Sequence, residues 1–121
     1  MTINIDDKGN IFIHQGDSGE VVVTGLNTDK NYQIYFAVKN SKREPVGSEL
    51  VANSDFKPSV TFFLNSSFTN LFTVPSNEEY EIYHYGIKSC FDDIENTLQV
   101  EGVPFGFPNN IIVFPKKVEG L

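Results

Sequence analysis

Two short stretches hold residue types that could do chemistry. In the first, Gly16-Asp17-Ser18-Gly19, a serine sits between glycines with His14 just before it. A serine nucleophile needs a base within hydrogen-bond reach and a third group to orient that base. Proteases with a glycine-flanked Asp-Ser carry their histidine and aspartate far upstream, but only 17 residues precede Ser18. The stretch therefore reads as a turn in which Asp17 or Ser18 accepts backbone N–H bonds. The second stretch is acidic: Asp92, Asp93 and Glu95. A calcium loop alternates its oxygen ligands and adds a glycine and a distal Glu, and that spacing is not met. It reads as a solvated acidic turn.

The remaining reactive side chains are few. His14 and His84 are the only histidines, and neither belongs to an HxH or HExxH pattern. His84 alternates with Tyr83 and Tyr85, so it is expected to face away from the core. Cys90 is the only cysteine, which excludes an internal disulfide and a multi-cysteine metal site. It reads as a small hydrophobe near a strand end. No carboxylate pair for glycoside hydrolysis stands out. The expectation is a protein that is not an enzyme, with no cofactor and no metal.

Aromatic residues carry more information. The chain has eleven Phe and five Tyr but no Trp, which weakens a sugar-platform reading. Phe105 and Phe107 lie in a Gly/Pro-rich loop, where apolar side chains need a reason to be exposed. Either they fold back to plug one end of the domain, or they insert into a neighbouring subunit.

The elements that position these residues follow a period of two. Predicted strands run from Ile11 to His14, Glu20 to Thr24, Tyr32 to Lys39, Ser48 to Asn53 and Ser59 to Leu64. Further strands run from Tyr80 to Lys88, Thr97 to Val100 and Ile111 to Phe114. Three buried faces are expected: Tyr32, Ile34, Phe36 and Val38; Val60, Phe62 and Leu64; and Tyr83, Tyr85 and Ile87. Between Ser66 and Val74, Phe68, Leu71 and Phe72 have helical spacing, so one helical turn behind a Ser cap is predicted. The fold class is all-β: a single antiparallel β-sandwich, immunoglobulin-like or jelly-roll-like, of about eight strands with at most one short helical turn. There is no internal repeat and no linker, so residues 1–121 form one domain.

Bulk properties narrow the partners. The 121 residues carry 16 acidic and nine basic side chains, a formal charge of -7. Binding nucleic acid means neutralising phosphates with clustered Lys and Arg. The densest basic runs are only Lys42-Arg43 and Lys116-Lys117, so no nucleic acid and no anionic membrane surface are expected. The first residues, Met-Thr-Ile-Asn-Ile-Asp-Asp, show no basic n-region or long apolar run. Synthesis in the cytoplasm is expected.

The order of features resembles a known group. An early Gly16-Asp17-Ser18 turn is followed by Phe36-Ala37-Val38-Lys39 and by Tyr83-His84-Tyr85-Gly86-Ile87-Lys88. Thr97-Leu98 then leads through a Gly/Pro loop to a terminal hydrophobic strand. From about Ile11 to Val118 this resembles small structural proteins of tailed phages and prophages of Gram-positive bacteria. It also resembles the N-terminal β-sandwich module of some upper-baseplate proteins. Gly86 departs from the family pattern, which often has Asp there, and glycine suggests a bulge or a lost polar contact. The resemblance implies a particle component acting by contact with other phage structural proteins and as a homo-oligomer. It would be made in the bacterial cytoplasm and then built into the phage particle. Phe105, Phe107 and the final strand Ile111, Ile112, Val113 and Phe114 are the expected contact elements, through apolar anchors and edge pairing. Two other readings remain: a stand-alone immunoglobulin-like binding module for a carbohydrate or protein, and a small β-barrel enzyme or ligand carrier.

Overall fold

The computed structural model describes residues 4–5, 10–98 and 109–116. Among the described residues, nine strands and one short helix follow in chain order. They are β1 (Asn4–Ile5), β2 (Ile11–His14), β3 (Gly19–Val23), β4 (Gln33–Lys39), β5 (Leu50–Asn53), β6 (Val60–Leu64), α1 (Ser66–Thr69), β7 (Glu81–Phe91), β8 (Ile94–Leu98) and β9 (Asn109–Phe114). The larger sheet has the order β1-β2-β9-β7-β4-β5, with β8 also paired to β7. The second sheet is the antiparallel pair β3-β6.

Strand alternation sets the facing. Ile34, Phe36 and Val38 of β4, Val60, Phe62 and Leu64 of β6, and Tyr83, Tyr85 and Ile87 of β7 are all buried, as their period-two spacing predicts. Tyr32 only packs against the core from its edge. Buried residues of both sheets meet in one apolar cluster. Phe36 links the layers, its ring 5.6 Å from Phe62 and stacked 5.5 Å from Tyr85.

One pairing differs from the purely antiparallel expectation. β2 runs parallel to β9, placing Ile11 against Ile111 and His14 against Phe114, so the larger sheet is mixed. Turn chemistry moves another boundary. Asp92 and Asp93 both adopt positive φ, 52° and 63°. That is the backbone of a two-residue hairpin turn, a conformation Asp tolerates better than most residues. β8 therefore starts at Ile94, not at Thr97. The predicted helical turn is α1, but its cap is Asn65, whose side-chain oxygen accepts from the Phe68 N–H at 2.9 Å.

β7 is the organising strand. One edge pairs with β4 without interruption from Cys90 to His84. Its other edge is shared: β9 takes Glu81 to Tyr85, and β8 takes Ile87 to Phe91. Gly86 sits at that handover. The ladder to β4 continues through it opposite Ala37, so it makes no bulge there.

Candidate functional site

The predicted turn is present but lies at Gln15 and Gly16, one step earlier than Asp17-Ser18, and a backbone bond closes it. The Asp17 N–H donates to the His14 carbonyl, and the Thr69 hydroxyl donates to the Asp17 carbonyl at 2.7 Å. His14 packs its ring 5.3 Å from Phe114. His84 lies on the outer face of the larger sheet, with Nδ1 3.0 Å from Asn110 Oδ1. Cys90 is half-buried and unpaired as a thiol. Among the described residues, no three of His, Cys, Asp and Glu gather closely enough to hold a metal ion. None of the helices among them is long and apolar enough to cross a membrane.

The expected contact strand divides by facing. Ile111 and Val113 are fully buried, so they are core residues and not contact residues. Ile112 and Phe114 point the other way and are half-buried. Edge pairing by this strand is closed, because β9 lies between β2 and β7. Phe105 and Phe107 lie outside the described residues.

Two features mark the outer face. The first is apolar. Register aligns Phe12 of β2 with Ile112 of β9, and Ile112 with Ile82 of β7, giving one row across three strands. Phe114 and Tyr80 extend it, with ring centroids 6.5 Å apart. Ile82 and Tyr80 are 36% and 47% exposed, in a place where an outer strand face is usually polar. Sequence reading passed over Phe12 and Ile82. The available signal was the unbroken apolar run at Ile11-Phe12-Ile13, matched by Ile111-Ile112-Val113-Phe114, where alternation should have placed polar residues.

The second feature is a depression of about 330 Å³ further along the same face, rimmed by Tyr35, Lys39, His84 and Lys88 over Ala37 and Gly86. Lys88 stands 5.3 Å over the Tyr35 ring and forms an ion pair with Glu95 at 2.6 Å. The Glu95 hydrogen bond and charge hold the Lys88 ammonium above the usual lysine range. Reciprocally, Lys88 holds the Glu95 carboxyl below the usual glutamate range.

No protein-family model matches the chain, and no curated protein sequence matches it. Its fold resembles that in the crystal structure of the periplasmic chaperone SfaE, with a TM-score of 0.62 at 9% identity. The match covers 95% of this chain and spans 58% of that one. At this identity the likeness defines an immunoglobulin-like, β-rich fold and carries nothing of the chaperone's activity.

Proposed function

We propose that this chain is a non-enzymatic structural module of a phage or prophage particle, working by protein–protein contact. In this reading its two layers form a single β-sandwich of immunoglobulin type. The observation that carries the contact role is the apolar row Phe12–Ile112–Ile82, extended by Phe114 and Tyr80, on the face turned away from the core. Contiguous apolar and aromatic surface that is partly open to solvent, as at Ile82 and Tyr80, is characteristic of interfaces. The phage setting rests on the order of motifs from Gly16-Asp17-Ser18 to the terminal strand. The partners are other particle proteins and further copies of this chain, met after synthesis in the cytoplasm.

Mass spectrometry of purified particles from the induced source strain tests the setting. Recovery at a fixed ratio to the major tail or capsid protein supports it. Absence, with other minor structural proteins detected, refutes it. Replacing Ile82 and Ile112 with Ser tests the surface. Incorporation should drop while the far-ultraviolet circular dichroism and the cooperativity of unfolding stay unchanged. Normal incorporation of that variant would remove this face from the contact.

A further inference from the structure

The rim and floor of the depression repeat a short pattern. Residues 35–39 read Tyr-Phe-Ala-Val-Lys, and residues 84–88 read His-Tyr-Gly-Ile-Lys. Position by position this is ring, ring, small residue, β-branched residue, lysine. The antiparallel register pairs Ala37 with Gly86, Tyr35 with Lys88 and Lys39 with His84. A local two-fold axis through the Ala37–Gly86 pair therefore carries Tyr35 onto His84 and Lys39 onto Lys88. On the inner side, Phe36 and Tyr85 stack across the same axis. The pattern is only five residues long and becomes visible only through strand register.

Gly86 argues that the hollow is more than a by-product of the fold. A Cβ added at this position meets nothing within 4 Å, and its backbone is outside the positive-φ region. The fold would accept a side chain here, and glycine inside a strand is destabilising relative to alanine. What a side chain would remove is the open floor.

We infer that the depression is a binding site for a ring-containing dianion, its ring lying on Ala37 and Gly86 with an anionic group held by a lysine at each end. Four residues along the strands and one strand across place the two lysine Cα atoms ~14 Å apart. Tyr35 and His84 supply ring walls at the other two corners. Lys88 already holds one carboxylate, that of Glu95. Lys39 has no ion-pair partner among the described residues. An extended peptide is disfavoured, because backbone donors and acceptors lie in the sheet plane and β4 and β7 use them on each other. The ligand is recognised by side chains alone, which suits a sugar acid or an aromatic dicarboxylate. The site is separate from the apolar row, so it stands or falls independently of the contact role.

The test is a titration of the 15N-labelled full chain with biphenyl-4,4′-dicarboxylate and, separately, with digalacturonate. Benzoate and a neutral disaccharide are the single-charge and uncharged controls. Saturable amide shifts at Ala37, Gly86 and their neighbours are expected with a dianion at roughly millimolar concentration. A response to the biphenyl acid only, or to the sugar acid only, identifies the source. Lys39→Met should weaken binding about three- to fivefold, the scale of an exposed charge pair. Gly86→Leu should abolish it while leaving the remaining spectrum folded. Glu95→Gln should tighten it by freeing Lys88. Three results each overturn the inference: no saturable shift with either dianion, equal binding of benzoate, or binding unaffected by both Lys39→Met and Gly86→Leu.

Discussion

Replacing Tyr83 with Phe removes one oxygen and tests how the segment after α1 is fastened to the core. The Tyr83 hydroxyl accepts from the Thr73 N–H at 2.8 Å and donates to the Thr73 carbonyl at 2.8 Å. Its ring packs 5.2 Å from that of Phe72, which is fully buried. One side chain thus satisfies both backbone groups of Thr73 and holds Phe72 in place. Each orphaned buried polar group costs ~1–3 kcal/mol, and these are only part-buried, so water recovers some of the loss. The expected destabilisation is about 1.5–3 kcal/mol. With a urea slope of roughly 1–3 kcal/mol/M, the unfolding midpoint should fall by about 1 M with the slope unchanged. The Thr73 hydroxyl makes only a longer 3.3 Å contact with Tyr83, so Thr73→Val is the control, at under ~0.5 kcal/mol. The reasoning fails if Tyr83→Phe costs less than ~0.5 kcal/mol, or no more than Thr73→Val.

Other expectations concern the sheet around it. Gly86→Ala should raise stability by about 0.5–1 kcal/mol, read as a higher melting temperature, since the position is open and its φ is not positive. Ile111→Ala should cost about 2–5 kcal/mol in urea unfolding, whereas Ile112→Ala next to it should cost less than about 1 kcal/mol. Equal losses would mean that the facing of β9 is misassigned. In a carbon-detected NMR titration, Glu95 should deprotonate at a lower pH than an ordinary glutamate, and Lys88→Met should return it to the ordinary range. A folded pKa below the unfolded one contributes stability above the unfolded pKa, lost as pH falls through the folded value. Because both groups are exposed, solvent screens the effect, and neutral-pH stability should hardly change in Lys88→Met.

Strand register gives the outer face of the larger sheet two distinct surface features. The chain carries 16 acidic and nine basic side chains, and register collects two of the nine basic residues around one small hollow. The apolar row occupies the β2, β9 and β7 part of the sheet, and the hollow occupies the β7 and β4 part. Both depend on β7, whose edge passes from β9 to β8 at Gly86.

Within each strand, the sequence by itself determined which side chains face the core, because alternation is a property of the extended backbone and needs no partner. That is why Ile34, Phe36 and Val38, or Tyr83, Tyr85 and Ile87, could be placed in advance. Local turn chemistry is legible only in part: the acidic run at Asp92 and Asp93 marks a turn, but its tightness, with β8 beginning at Ile94, comes from the pairing of Phe91 with Ile94. Where alternation is missing, as at Ile111-Ile112-Val113-Phe114, the same reasoning has no face to choose, and the buried and exposed members separate only after the strand is placed. Pairing was decided by the tertiary structure alone. Nothing in residues 11–14 or 109–114 states that they lie side by side and parallel across nearly the whole chain. Partner choice depends on which edges remain open once the intervening strands have packed. The alignment of residues 35–39 with 84–88 has the same origin: each run sets the facing of its own residues, but only the β4–β7 register turns two separate runs into one symmetric hollow.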